Sequence, residues 1–351
     1  MRHSFETGIV LLLLLLSSSV FSQEVTRVEA GLFSTDQIGR KKSADGAKRA
    51  IIRSAVNLSG KLRVTVSEDE TASIIFRKQA KTDNRSRAID YIDLISVELT
   101  VINEEIRVDL HAPNPAPWAK RAESGMITAQ LKLPAGMELE IDAMYFDIVA
   151  EGPFESVSIP SSLGKLSISS VTKNLDIQTA NRRIVLDNIS GMISATTSNS
   201  TIVARYLSCT DGQSRIRNDG GDIDIRKVSG SVNIRNRFGR INLVDFEPTG
   251  SGSIIRGSSA PIILDVRSMS EGQLVVINRH EDIEISIPDT LSAFLSLAVD
   301  DDGEISASGF PFATDLVQDN RLNLMVGEGA VDISGSIRGK GNIYVRGIQG
   351  E

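Results

Sequence analysis

One cysteine, three histidines and one tryptophan are all that the 351 residues hold of the side chains most used for redox, metal and aromatic-platform sites. Cys209 has no possible intrachain disulfide partner, so any stable fold must rest on burial and not on covalent staples. His3, His111 and His280 stand apart, with no His-x-His, His-Glu-x-x-His or cysteine-partnered spacing, which argues against a metal site. Aromatic residues reach only 5%, and Trp118 is the sole tryptophan; this counts against a dedicated glycan cleft floored by aromatic rings. Positive charge is in deficit, at a formal net charge of −7, which argues against general binding to nucleic acid or anionic membrane. No Gly-x-Ser-x-Gly nucleophile elbow is present.

The long apolar run that a bilayer span requires is missing too. Ile9 to Leu16 is apolar, preceded by Arg2 and followed by the small polar stretch Ser17 to Ser22. That order reads as a secretory signal peptide over residues 1–22, cut after Ser22; the run falls well short of the ~20 residues of a spanning helix. An uncleaved anchor is the alternative. No cysteine follows the apolar run, which argues against a lipoprotein. The expected location is extracytoplasmic (periplasmic, cell-surface or secreted), with no membrane span after cleavage.

What the sequence does contain is a repeat. Short alternating pairs occur at Leu166/Ile168, Leu175/Ile177, Ile184/Leu186, Ile193/Ala195 and Ile202/Ala204, each starting nine residues after the last, and resume at Ile223/Ile225, Val232/Ile234 and Ile241/Leu243. Nine residues hold one short strand and a turn, and period-2 alternation places the apolar members on one face. A second series, Val171, Ile189, Leu207, Val228 and Phe246, is spaced 18, 18, 21 and 18. Two nines therefore make one coil. Gly and Asn punctuate the corners, as at Gly191, Gly230, Asn181, Asn199, Gly220-Gly221 and Gly239, where the chain must turn sharply. The 21-residue coil takes its three extra residues as a bulged turn at Thr210 to Gln213. A β-sandwich would also space its turns regularly, but it has no reason to alternate two corner types at 18. Stacked coils do, since one coil cannot bury its own inward face.

The expected fold is all-β: a single-stranded β-solenoid of about 18 residues per coil with a β-rich N-terminal subdomain. Residues 134–288 form the solenoid repeats, entered at Leu139/Ile141, and 289–351 form C-terminal coils through Leu295/Leu297, Ile305, Leu322/Leu324, Val331/Ile333 and Ile343/Val345, with 310–321 as a loop leaving the stack. Residues 23–133 form the capping subdomain. It contains a strand at Leu62/Val64/Val66 and a hairpin of Ile95–Val101 with Ile106–Leu110 through Asn103-Glu104. A short helix over Ala47 to Val56 is possible. Such a cap would cover the open end of the stack, where unpaired strand edges invite aggregation.

At these residues the chain resembles the DUF4097 family of bacterial β-strand-repeat proteins, whose members carry the label of putative adhesins. The resemblance rests on Leu131-Lys132-Leu133-Pro134-Ala135-Gly136, on the strand-turn repeat from Leu166 to Leu243 with its Ser-Gly corners, and on Val326-Gly327-Glu328-Gly329 followed by Ile333 and Gly341-Asn342-Ile343. It covers roughly residues 55–347, and departs from the family pattern in lacking a glycine between Ile141 and Ile148. The resemblance implies a β-repeat fold and a cell-envelope setting, with no catalytic residues.

The search for chemistry leaves little. Cys209 stands where related coils have glycine, which favours a packing role at a turn over a nucleophile. Asp300-Asp301-Asp302-Gly303-Glu304 is the best cation candidate, yet it lacks the spaced ligands of a calcium loop and reads as a solvated turn. Gly327-x-Gly329 precedes no helix and is not a phosphate loop. No catalytic, cofactor or metal residues are expected. One exposed feature stands out: Arg215, Arg217, Arg226, Lys227, Arg235, Arg237 and Arg240 crowd one stretch, with Asp219, Asp222 and Asp224 among them. Arg217 and Arg235 are 18 apart and would stack at one coil position. The stretch is either a solvated face neutralised by those acids or an anion-binding patch for an envelope polymer. The expected function is accordingly non-enzymatic, adhesin-like binding or structural support in the envelope, with a polymer or protein partner. The alternatives are an enzyme acting on acidic polysaccharide from a parallel β-helix, and an envelope-stress accessory acting through protein contacts.

Overall fold

A computed structural model describes residues 24–44, 46–250, 252–300, 303–311 and 315–349; the expected signal peptide lies outside them. Among the described residues the chain forms 27 strands and one helix, and every strand joins one continuous sheet. The sheet carries two parallel ladders, here called walls, whose apolar residues belong to one buried core.

On the first wall, Ile148, Leu166, Ile184, Ile202, Ile223, Ile241, Ile262 and Ile283 are successive parallel partners. On the second, the same holds for Ile159, Ile177, Ala195, Ile216, Ile234, Ile255 and Val276. All of these side chains are buried. Burial of each large aliphatic is worth ~1.5–3 kcal/mol, and it is realised only because the strand above and the strand below cover it. Some strands bend round the corner and serve both walls. Leu166–Thr179 pairs with Ile184–Ser190 along one half and with Met192–Thr197 along the other. Ile202–Asn218 then pairs with both of these in turn, so the four strands close a ring.

At the bend, Phe154, Val171, Ile189, Leu207, Val228, Phe246 and Val266 form a third buried row of register partners. Each of five residues just before this row, Ser170, Asn188, Tyr206, Lys227 and Asp245, has a φ between 55° and 58°. This left-handed residue sets two outward side chains in succession and lets the next apolar one turn inward. The expected 18-residue period holds wherever these rows were legible, and the extra residues after Cys209 fall in a register shift between Cys209 and Ser214. Further on, offsets of 21 recur from Ile241 to Ile262 and from Ile262 to Ile283.

The opposite corner is polar and buried. Asn218 Nδ2 donates to the carbonyls of Ser200 (2.6 Å) and Gly221 (2.8 Å), and its Oδ1 accepts from the Gly220 amide (3.2 Å). Asn236 and Asn278 repeat this role tiers away. Thr179 and Thr197 fill it in earlier tiers, donating to Gly164 and Arg182 carbonyls at 2.9 and 3.0 Å. Asn218→Leu takes this partner from the Ser200 carbonyl and the Gly220 amide, while the Gly221 carbonyl keeps Asn236, and is expected to cost roughly 2–4 kcal/mol. Asn199→Ala removes only an exposed bond to Asn181 and is expected to stay within about 0.5 kcal/mol. Urea titrations of both variants check the contrast.

Both ends depart from simple succession. Arg49–Ser54 and Leu58–Ser67 lie between Glu105–His111 with Ser124–Pro134 on one side and Glu138–Asp142 with Phe146–Ser162 on the other, all parallel. The parallel ladder thus crosses the expected boundary at 133/134. The possible helix over 47–56 is instead largely the strand Arg49–Ser54, with Ala50, Ile51 and Ile52 buried; pairing on both edges overrides local helix preference. The one helix, Arg85–Asp93, is capped by Asn84 and buries Ala88, Tyr91 and Ile92. The expected hairpin is present as Ser96–Ile102 with Glu105–His111, and Asn103 and Glu104 take positive φ at its turn.

At the other end, Val331–Ile337 and Ile343–Ile348 do not follow Leu322/Leu324 in the stack. They insert between Gln273–Asn278 with Ile283–Pro288 and Ala293–Val299 with Glu304–Ser308. Part of the expected 310–321 loop, Leu316–Asp319, is a strand. Antiparallel strands flank the parallel ladder at both ends.

Candidate functional site

The seven basic residues of the expected patch divide among four surfaces, because the corners between strands point side chains in different directions. Arg215, Arg217 and Arg235 alternate with buried Ile216, Asn218, Ile234 and Asn236, so all three project outward from the second wall. Arg226 lies on the first wall, paired in register with Arg205. Lys227 occupies the left-handed corner, its Nζ 5.2 Å from the Tyr206 ring centre. Arg237 sits at the opposite corner with its guanidinium 5.2 Å from the Phe238 ring centre, and Arg240 lies beyond it.

The acids are shared unevenly. Arg240 pairs with Asp222 (3.8 Å) and Asp224 (3.5 Å), and its backbone amide donates to Asp222 at 2.9 Å. Arg217 pairs with Asp219 at 3.3 Å. Arg215 and Arg235 form no ion pair among the described residues. The register Arg217↔Arg235 follows as the 18-residue period requires, and the next partner of Arg235 is Arg256. Arg256 lay hidden in the sequence because the intervening tier has 21 residues; the recurring Ile-Arg pairs at 216–217, 234–235 and 255–256 were the available signal.

The remaining candidates separate. Among the described residues no three His, Cys, Asp or Glu side chains are grouped for a metal ion; Asp301 and Asp302 lie outside the described residues. His111 is exposed, 4.0 Å from Glu98, whereas His280 lies at a corner tiers away. The Gly327–Gly329 turn folds over Ser292, whose Oγ accepts from the amides of Glu328 (3.0 Å) and Ala330 (3.1 Å). Glu123, not singled out from sequence, accepts from Tyr91 (2.5 Å) and Thr82 (2.7 Å). Those two hydrogen bonds, Tyr91's first, hold its carboxyl below the usual range, and they pin the cap.

Cys209 is buried in the register position of Gly230. Burial pushes its thiol up to about 11, so it is expected to resist iodoacetamide at pH 7.5 in the folded protein and to react after denaturation. The linkage sign follows from that direction. Its contribution to stability is complete below the ~8.5 of an unfolded cysteine and is lost as pH rises through about 11. Mass spectrometry of alkylated samples against pH checks both points.

Two of the surface grooves carry several charged side chains. One, of about 870 Å³, runs past Lys227, Asp245, Asp265, Arg267 and Thr290 at the left-handed corner. The other, of about 450 Å³, lies on the first wall among Lys61, Asp147, Val149, Lys165, Arg183 and Val185.

No family model and no curated protein matches the chain. Three solved structures resemble it weakly. A putative adhesin from Bacteroides fragilis is 11% identical, with 89% of this chain and 97% of that one covered at a TM-score of 0.31. A putative lipid binding protein from Parabacteroides distasonis is 12% identical, covering 88% and 96% at 0.31. A putative cell adhesion protein from Clostridium sporogenes is 10% identical, covering 89% and 99% at 0.18. Scores this low leave function to be argued from the chain's own residues. Among those residues, the arginines of the second wall stand three in register, at Arg217, Arg235 and Arg256, with a single acid among them.

Proposed function

We propose that the chain is an extracytoplasmic β-solenoid with a non-enzymatic, adhesin-like binding or structural role in the cell envelope, of the kind that its resemblance to the DUF4097 family implies. In this reading residues 1–22 are removed as a signal peptide, 23–133 supply the cap together with the first strands of the ladder, 134–288 are the main repeats and 289–351 the closing coils. The observation that carries it is the parallel register running tier upon tier through both walls. Such a ladder repeats outward side chains at one height after another and builds an extended surface without a pocket. The second wall, with Arg215, Arg217 and Arg235, is the contact face for an anionic envelope polymer; Arg226, Lys227, Arg237 and Arg240 serve other surfaces.

The test is fractionation of cells producing the tagged full chain, followed by retention on purified cell-wall and extracellular polymers. Recovery outside the cytoplasm with binding to an anionic polymer is the expected result. Binding to no polymer, with a protein recovered instead, would replace this reading by that of an accessory protein. The corner groove gives the enzyme alternative its own test, since Asp245 and Asp265 both line it. Release of oligosaccharides from an acidic polymer, abolished by Asp245→Asn, would overturn the non-enzymatic role.

A further inference from the structure

The outward row on the second wall that contains Arg217 reads, strand by strand, Gln178, Thr196, Arg217, Arg235, Arg256 and Ile277. Three guanidinium groups therefore follow one another at the spacing of neighbouring strands, ~4.8 Å. Like charges directly opposite on a ladder are destabilising. Gln178 and Thr196 demonstrate that a neutral side chain meets the structural need of this row.

Several outward cations elsewhere in the stack are matched by an acid from another strand or turn. Arg63 binds Glu151 through both carboxylate oxygens (2.9 and 2.7 Å), Lys173 pairs with Glu155 (2.5 Å), Arg267 with Glu247 (3.6 Å), and Arg49 with Glu140. The arginine row has little of this and is longer than the first-wall pair Arg205 and Arg226, running through three strands in register. Only Arg217 has an acid, the exposed Asp219; Arg235 and Arg256 have none among the described residues, nor has Arg215 in the adjacent row, where its register partners are Ser194 and Asn233. The spacing is held rigidly, since buried Ile216, Ile234 and Ile255 flank the row from beneath and Asn218 and Asn236 anchor the neighbouring corner. Preorganised cations lose little freedom on binding.

Resting on the binding role proposed above, we infer that Arg217, Arg235 and Arg256, with Arg215 beside them, form a strip for a linear polycarboxylate that lies along the stacking direction. The matching ligand is an acidic polysaccharide with one carboxylate on each sugar ring. A ligand lying along a strand would meet one arginine of the row, whereas a chain crossing the strands meets all three. Each guanidinium presents a planar fork that suits a carboxylate, and linked contacts gain from multivalency. The hydroxyl and amide groups of Ser194, Thr196 and Asn233 lie alongside for ring hydroxyls. Duplex DNA fits less well: each strand advances ~3.4 Å along the helix axis per phosphate and winds round the duplex away from a straight row.

The test is calorimetric titration of the exported protein with oligogalacturonates of two to eight residues. Affinity is expected to climb about tenfold per residue up to three or four residues and then to level off. Arg217→Gln/Arg235→Gln/Arg256→Gln is expected to lose at least about 100-fold of the affinity and to lose the break in length dependence. Arg226→Gln, on the other wall, is expected to bind as the unaltered chain does. Because the triple change relieves repulsion, its melting temperature without ligand should equal or exceed that of the unaltered protein, which guards against a misfolding explanation. Affinity rising steadily with length, equal affinity for oligonucleotides of matched charge, or unchanged binding by the triple variant would each overturn the strip. Retention on an envelope polymer that the triple variant keeps would discard the strip while leaving the broader binding role intact.

Discussion

Gly191→Ala is expected to lower stability by roughly 3–5 kcal/mol, at the severe end for a single substitution. Gly191 has a φ of +94°, and a Cβ built on it would sit 1.7 Å from the carbonyl oxygen of Lys173 in the tier before. The clash is with backbone, so no side-chain rotation can relieve it, and separating the tiers would break the ladder on either side. Gly212 supplies the control. Its φ is +96°, yet nothing lies within 4 Å of the added carbon, so Gly212→Ala should cost only the ~1–2 kcal/mol of an unfavourable φ. Chemical denaturation of the two variants separates backbone preference from steric stacking. A Gly191→Ala protein within 1 kcal/mol of the parent would mean that the tiers are not held at this distance.

A chain ending at Gly329 is expected to lose the ordered structure of its whole C-terminal end, not merely of the residues removed. The missing strands, Val331–Ile337 and Ile343–Ile348, each pair on both edges. Their loss leaves Gln273–Asn278, Ile283–Pro288, Ala293–Val299 and Glu304–Ser308 each unpaired on one edge. Buried Val331, Ile333, Ile337, Ile343 and Val345 go with them, on the order of 10 kcal/mol of apolar burial at ~2 kcal/mol each. Hydrogen exchange should become fast in Ala293–Val299, Glu304–Ser308 and Arg321–Val326 while the tiers from Leu166 to Phe246 stay protected. Slow exchange retained in Ala293–Val299 would contradict the inserted topology.

The arginine patch illustrates how proximity in sequence misleads in a stack. Arg226 and Arg240 are near neighbours of Arg235 along the chain, but the corners carry them to other surfaces. Arg256 is farther in sequence and stands in the same row. Cys209 was legible as a glycine-position residue because the corner pattern around it repeats, and its burial bears out a packing role. The helix at Arg85–Asp93 gave no comparable warning: its buried face is only Ala88, Tyr91 and Ile92, too short a series to stand out.

Which residues face inward is a local property. Alternation with period two and turns at nine-residue intervals are written along the chain, and they determined the inner rows, the corner row and the 18-residue register from Leu166 to Phe246. Which strand lies beside which at the two ends is not local. Arg49–Ser54 and Val331–Ile337 alternate like any other strand and could pair at many edges; their places between earlier and later tiers follow from covering both edges of the ladder at once. That choice belongs to the closed structure as a whole, because an apolar strand gains its burial from whichever neighbours the complete fold brings to it.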